Sequence, residues 1–254
     1  MNLRDHIPLA MYRGVAVFSD VHADLPRLRK GLDYAREHSL FPLFIGDLLD
    51  GGDKPFETIS IVKALLDAQA AALVIGNHDD KFYRWAIGNP VILKGANLRT
   101  IEDVPDGRLD EFRDMLLDIF RSQLSADHFR FGRVVFVHGA LHPKMWEETT
   151  MDREAKAFAL YGEVNGERDE DDFPVRLYSW TEAVPEGHMV VVGHDRNPMG
   201  TDIVGKAPVK RTNPDGGMVL FTDTGSGKGG TLSVVHFDFN EADMDLIYRG
   251  HETF

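Results

Sequence analysis

The chain has 254 residues, 43% of them hydrophobic and 10% aromatic, enough for one large domain built around a substantial core. It contains no cysteine, which excludes disulfides, thiolate metal sites and a cysteine nucleophile, so any metal must be held by oxygen and imidazole nitrogen. The formal charge of −13 argues against an extended nucleic-acid surface, which needs many Lys and Arg to displace counterions. No apolar run approaches the roughly 18 residues of a membrane span, and MNLRDHIPLAMYRG lacks the apolar core of a signal peptide, so the expected setting is the cytoplasm.

In chain order, GVAVF (14–18) predicts a strand, and DLPRLRKGLDYAREH after it carries apolar residues at helical spacing with Asp24 as its N-cap. Residues 41–45 repeat the strand signal, residues 56–68 form a helix, and residues 71–75 form a third strand before the helix that starts near NHDD. This alternation implies parallel βαβ units, whose sites gather at the carboxyl ends of the strands. An amphipathic helix is expected over 109–124 and a strand over 133–137. Further strands are expected at 189–192, 218–222, 231–237 and 244–248; with no helices between them, the C-terminal part should be mostly antiparallel. The expected fold class is α/β, with two packed mixed β-sheets flanked by helices, and the whole of 1–254 forming a single domain. The charge-rich EVNGERDEDDFP (163–174) predicts a solvated loop within a lid or substrate-selecting insertion at 142–188.

Five strands end in polar clusters of one kind. VFSDVH ends in Asp20 and His22, FIGDLLD in Asp47 and Asp50, and VIGNHDD in Asn77, His78 and Asp79, while VFVHGA supplies His138 and VVVGHD supplies His194. A turn and a helix cap would account for NHDD alone. Five such ends side by side would bury more polarity than a protein can hold without partners, and divalent cations are the natural ones. Nitrogen and oxygen without sulfur suit Mn²⁺, Fe or Zn²⁺, and two ions about 4 Å apart could share a carboxylate, polarise a phosphoryl group and activate a water. His6, His38, His128, His188, His236 and His251 read as structural or solvated. GSGKGG (225–230) lacks the spacing of a nucleotide P-loop and lies between two strands instead of opening a helix.

SDVH, GDLLDGG, GNHDDKF, VHGAL and GHD, in this order, resemble the calcineurin-like metallophosphoesterases. Within that family the chain is similar to the phosphoprotein phosphatase branch, including bacterial forms near the diadenosine tetraphosphatases and the phosphatase module of polynucleotide kinase-phosphatases. The resemblance implies a four-layer αββα sandwich and two divalent metal ions, Mn²⁺ first, with Fe, Zn or Ni as alternatives. It implies that Asp20 and His22 bind the first metal, that Asp47 bridges, and that Asn77, His138 and His194 bind the second. His78 paired with Asp79 would be the general acid, and Asp50 and Asp223 would lie outside the ligands and orient them. The implied reaction is hydrolysis of a phosphoprotein, nucleotide or polynucleotide phosphate by a metal-bridged hydroxide. The branch usually reads GDxxDRG, with an arginine that grips phosphate, where this chain has Gly51. Arg84, Arg196, Lys54 and Lys81 are the candidate substitutes. If none serves, the alternative is a metal-binding regulatory protein with weak turnover. The final motif reads GHDR in place of the wider superfamily's GHxH, a departure that the phosphoprotein phosphatase branch shares.

Overall fold

The computed structural model describes residues 1–146, 151–170 and 173–254. The first half alternates strand and helix: β1 (Gly14–Phe18), α1 (Leu25–Glu37), β2 (Leu40–Phe44), α2 (Pro55–Asp67), β3 (Ala72–Val74), α3 (Asn77–Ala86), α4 (Ala96–Glu102), α5 (Leu109–Arg121) and the short β4 (Ser125–Ala126). Every residue of β1, β2 and β3 is buried, as expected of parallel strands covered on both faces. The Asp24 side chain caps α1 by accepting from Arg27 N at 3.3 Å. The helix α5 turns Phe112, Met115, Leu116 and Ile119 inward at helical spacing.

The second half contributes β5 (His128–Phe131), β6 (Val134–Val137), α6 (Arg153–Tyr161), β7 (Glu163–Arg168), β8 (Pro174–Leu177), β9 (Met189–Val192), β10 (Val209–Thr212), β11 (Met218–Phe221), β12 (Ser233–Asn240) and β13 (Asp245–Thr253). One sheet runs β13-β12-β1-β2-β3-β4, the other β10-β11-β9-β6-β5, and β7 and β8 form a separate hairpin. Both sheets are mixed, so the expected α/β class with two mixed sheets is what the chain adopts. The strands of the second sheet alternate between two hydrophobic clusters. Phe136, Val191 and Leu220 join the larger core with β1 and β2, while Val135, Val137, Val190, Val192 and Val219 pack with Ala155 and Ala159 of α6. No helix among the described residues is long and apolar enough to cross a membrane.

Two expectations need correction. The late strands β12 and β13 pair antiparallel as expected, and so do β10 and β11, but at the centre of the second sheet β11 pairs with β9 in parallel and β9 pairs with β6 in parallel. The edge strand β10 and the segments on either side of it give the chain length to cross over, and no helix is needed for that. Residues 163–170 and 173–174 are solvated as expected, but they carry β7 and the start of β8 and are not a plain loop. Residues 147–150 and 171–172 of the expected insertion lie outside the described residues.

Candidate active site

The expected donors gather for a topological reason. β1, β2 and β3 run parallel in one sheet, and β6, β9 and β11 run parallel in the other. Asp20 and His22 follow β1, Asp47 follows β2, and Asn77 opens α3 just after β3. His138 follows β6, His194 follows β9 and Asp223 follows β11. The turns are tight: φ is 49° at His22 and at Asp47, 77° at Asp50 and 61° at His194. Such left-handed backbone costs a non-glycine residue about 1–3 kcal/mol and persists only where other contacts enforce it. Here Val21 N and His22 N both donate to Asp47 O, at 3.1 and 2.8 Å, and Ala23 N donates to Leu48 O at 2.8 Å. Two glycines make room for the donors. A Cβ on Gly76 would lie 2.3 Å from Asp47 Oδ1, and one on Gly193 would lie 2.3 Å from Asp20 Oδ2.

The donors form two groups. Asp20, His22 and Asp223 each offer a ligand atom within 4.8 Å of the others, and so do Asp47, His138 and His194. Asn77 joins the second group, its Oδ1 being 3.0 Å from His138 Nε2, which is 3.2 Å from His194 Nδ1. Asp47 lies between the groups, with Oδ1 3.5 Å from His138 Nε2 and Oδ2 3.9 Å from His22 Nε2. Asp223, expected outside the ligands, thus presents an oxygen among them. His138 Nδ1 is 2.9 Å from Ile45 O, and His22 Nδ1 is 2.9 Å from Leu49 O. A carbonyl only accepts, so each Nδ1 carries the proton and each Nε2 turns a lone pair toward the site.

The electrostatics point the same way. Burial, reinforced by Asp47, pushes the Asp20 carboxyl up to about 7, and burial beside Asp20 pushes Asp223 up to about 8. Burial, with Lys228 nearby, drives His22 down to about 3, and burial with Arg176 holds His194 well below its ordinary value. Burial opposes ionisation of Asp47, but His138, His78, His22 and His194 outweigh it and keep the carboxylate charged. Asp20 and Asp223 resist ionisation and His22 and His194 resist protonation because each lone pair is buried with no cation to face. A divalent cation in each group would satisfy them, and the donor chemistry fits Mn²⁺, Fe or Zn²⁺.

His78 sits beside these groups, with Nε2 3.9 Å from Asp47 Oδ2. Its partner is not Asp79, contrary to the expected dyad. His78 Nδ1 lies 2.6 Å from Asp50 Oδ2, whereas the Asp79 carboxylate accepts from Leu48 N at 2.9 Å and Gly76 N at 3.0 Å. The reason is helical geometry: His78 and Asp79 are consecutive in the first turn of α3, so their side chains diverge. Asp79 at the third helical position instead reaches back to the helix start and ties it to the turn after β2. Burial works against protonation of His78, but Asp47 and Asp50 outweigh it, so the imidazole is more basic than usual.

A family model described as calcineurin-like phosphoesterase matches residues 14–253. The chain belongs to the calcineurin-like phosphoesterase family. It is a metallophosphoesterase, a phosphoric ester hydrolase, and the family implies divalent metal ions. It is 25% identical over 237 residues to the asymmetrical bis(5'-nucleosyl)-tetraphosphatase PrpE of Geobacillus sp. strain WCH70, covering 88% of this chain and 90% of that one. With the enzyme of the same name from Bacillus subtilis strain 168 it shares 29% identity over 191 residues, 70% of this chain and 77% of that one. Among solved structures, a candidate diadenosine tetraphosphatase superposes with a TM-score of 0.58 at 19% identity over 96% of both chains. A serine/threonine phosphatase from Saccharomyces cerevisiae with similarity to human PP5 gives a TM-score of 0.56 at 17% identity, over 94% of this chain and 79% of that one. Both structures share the fold.

The basic residues expected to grip phosphate in this phosphoesterase are unequally placed. Arg196 reaches the first donor group, its Nε 3.9 Å from Asp223 Oδ2. Arg84 is paired with Asp80 at 2.9 Å on its own helix, Lys81 donates to Asn97, and Lys54 is exposed at the start of α2. Two cations that sequence reasoning missed act on the site: Arg176 on His194, and Lys228 on His22, His78, Asp50 and Asp223. Arg176 carries no spacing signal, being one arginine in the separate β7–β8 hairpin, and Lys228 lies in a glycine run without the spacing of a P-loop. A cavity of about 470 Å³ opens from His194, walled by Arg176, Arg196, Phe173 and Tyr178. The Tyr178 hydroxyl donates to Asp195 Oδ2 at 2.7 Å, and Arg176 Nε lies 3.9 Å from Asp195 Oδ1, so one carboxylate positions both walls. A cleft of about 550 Å³ elsewhere, lined by Tyr12, Phe131 and Phe239 with Arg13, Asp238 and Arg249, contains none of the donors.

Proposed function

We propose that the protein is a binuclear metal-dependent phosphatase that hydrolyses nucleotide phosphates by direct attack of water on phosphorus. The observation that carries this reading is the pair of donor groups sharing Asp47, with His78 held by Asp50 beside them. Asp20, His22 and Asp223 would hold one divalent ion and Asn77, His138 and His194 the other, with Asp47 shared between them. When bound, the two ions would offset phosphate charge and lower the pKa of the attacking water. His78 keeps a proton on Nε2, stabilised by Asp50 at Nδ1, and gives it to the leaving oxygen as the general acid. Arg176 and Arg196 stand where they can hold further phosphate oxygens, and Phe173 and Tyr178 offer rings to a base. The names of the curated relatives support a nucleoside polyphosphate substrate over a phosphoprotein or a polynucleotide.

The test pairs elemental analysis of protein purified without chelator with turnover of p-nitrophenyl phosphate and diadenosine tetraphosphate, with and without Mn²⁺. About two metals per chain and Mn²⁺-dependent release of phosphate, lost in His78→Ala, are expected. No metal-dependent turnover of either substrate after Mn²⁺ loading would overturn the reading and leave a metal-binding regulatory role.

A further inference from the structure

The loop between β11 and β12, DTGSGKGG, is clamped onto the turn that carries His22. Ser226 Oγ donates to Val21 O at 3.1 Å, and Gly227 N reaches Asp24 Oδ2 at 3.4 Å. Gly227 packs so closely that a Cβ there would lie 2.4 Å from His22 O and 2.7 Å from His22 Cβ. The same residue closes off position 51. A Cβ on Gly51 would meet Gly227 O at 2.8 Å and His22 Cβ at 3.3 Å, and φ at Gly51 is +145°. Any side chain at 51 would therefore start in strained backbone and run into the carbonyl of Gly227. The residue after that carbonyl is Lys228.

Lys228 is half-buried, and its charge acts on His22, His78, Asp50 and Asp223, which come from the turns after β1, β2 and β11 and from α3. Among the described residues none forms an ion pair or a side-chain hydrogen bond with its ammonium. A lysine held by a rigid loop against a site and left without a carboxylate partner is poised for an anion from outside. Asp20, Asp47, Asp50 and Asp223 offer four carboxylates, which two divalent ions would offset; His78 and Arg196 then supply positive charge for an entering phosphate, and Lys228 adds to it from the third side, the loop after β11.

We propose that Lys228 is the residue that grips the substrate phosphate, filling from the opposite loop the place that Gly51 leaves without a side chain. The inference rests on the phosphatase reading above. Its competitor is structural: Lys228 would merely offset Asp50 and Asp223.

The experiment compares wild type, Lys228→Met and Lys228→Arg. It measures KM and kcat for p-nitrophenyl phosphate with Mn²⁺, the inhibition constant of inorganic phosphate, metal content and melting temperature. Lys228→Met should raise KM and the phosphate inhibition constant about tenfold or more, since one charge-assisted hydrogen bond to phosphate is lost. Metal content and melting temperature should hold, and Lys228→Arg should recover most of the loss. If wild type turns over but Lys228→Met binds phosphate equally well, or loses metal and stability in step with affinity, Lys228 is structural and the inference fails. If wild type shows no turnover, the phosphatase reading is what fails. Calorimetric titration of inorganic phosphate into both Mn²⁺-loaded proteins then decides Lys228 separately, and equal affinities overturn its role.

Discussion

Substituting Asp50 and Asp79 separately tests which carboxylate serves His78. Asp79 is 3% exposed and accepts two backbone hydrogen bonds, from Leu48 N at 2.9 Å and Gly76 N at 3.0 Å. In Asp79→Asn one oxygen remains and an amide N–H is set against the other donor. One charge-assisted bond is lost and a buried N–H is left unpaired, a cost of about 2–4 kcal/mol. For a chain of this length that is a fall in melting temperature of about 5–10 °C. Asp50 is placed differently: Oδ2 contacts His78 Nδ1 at 2.6 Å, while Oδ1 is buried without a hydrogen-bond partner. Asp50→Asn keeps the shape but breaks the buried pair with His78, which can lose its proton in response, so stability should fall by about 1–3 kcal/mol. The protonated His78 loses the charge that supports it, and because a positioned general acid is worth about 10²–10⁴ in rate, kcat should fall at least about 100-fold. Thermal melts and steady-state hydrolysis of p-nitrophenyl phosphate with saturating Mn²⁺ measure both effects. If Asp79→Asn costs more kcat than Asp50→Asn while melting like wild type, the sequence-adjacent dyad is right and the geometry argued above is wrong.

Three other substitutions address the metals, the pH response and the cavity beside His194. In Gly193→Ala the new Cβ would sit 2.3 Å from Asp20 Oδ2, where ordinary contact begins at 3.4 Å, so the carboxylate must swing away from His194 N, which it now accepts from at 3.0 and 3.1 Å. Metal affinity measured by titration calorimetry should fall about 10–100-fold, and unchanged affinity would show that Asp20 is not a ligand. His128 is buried and its pKa is pushed down to about 4, by burial and then by the N-terminal ammonium. Against about 6.5 in the unfolded chain, the unfolded state binds the extra proton, so stability holds above pH 6.5 and declines as pH falls toward 4, by about 3 kcal/mol in all. Urea melts of His128→Leu across that window should lack this decline; a slope equal to wild type's would contradict the assignment. Arg176→Ala should raise KM for diadenosine tetraphosphate about tenfold at constant metal content, whereas an unchanged KM would remove the arginine from the substrate pocket.

What the sequence made legible follows from burial. β1, β2 and β3 could be read because strands covered on both faces are uninterrupted apolar runs. β4, with two half-buried residues, and β10, reading VKRT on an edge, carry no such run and were missed. The positions of the six expected donors were legible because each closely follows an apolar run, β1, β2, β3, β6 or β9, and strand ends are where a parallel sheet collects its chemistry. The His78 partner was not legible, because adjacency along a helix says nothing about adjacency of side chains. Asp50 reaches His78 only through the turn after β2, and Lys228 reaches the site only because one loop folds over another.

Backbone groups tie the turns of the site to one another. Val21 and His22 bond Asp47 O, Gly52 N bonds His22 O at 2.6 Å, and Ser226 bonds Val21 O, so the strained turns after β1 and β2 and the loop after β11 interlock through backbone groups. The left-handed residues His22, Asp47, Asp50 and His194 are where local preference yields to this network, as expected where donors must be aimed before the ligand arrives. Stripping metal with a chelator should therefore leave the far-ultraviolet circular dichroism unchanged and lower only the melting temperature. Restoring Mn²⁺ at about 100 times its dissociation constant should return about 2.7 kcal/mol per site by mass action. A chelated protein without secondary structure would mean that the cations build the site, and the preorganisation inferred from these turns would have to be abandoned.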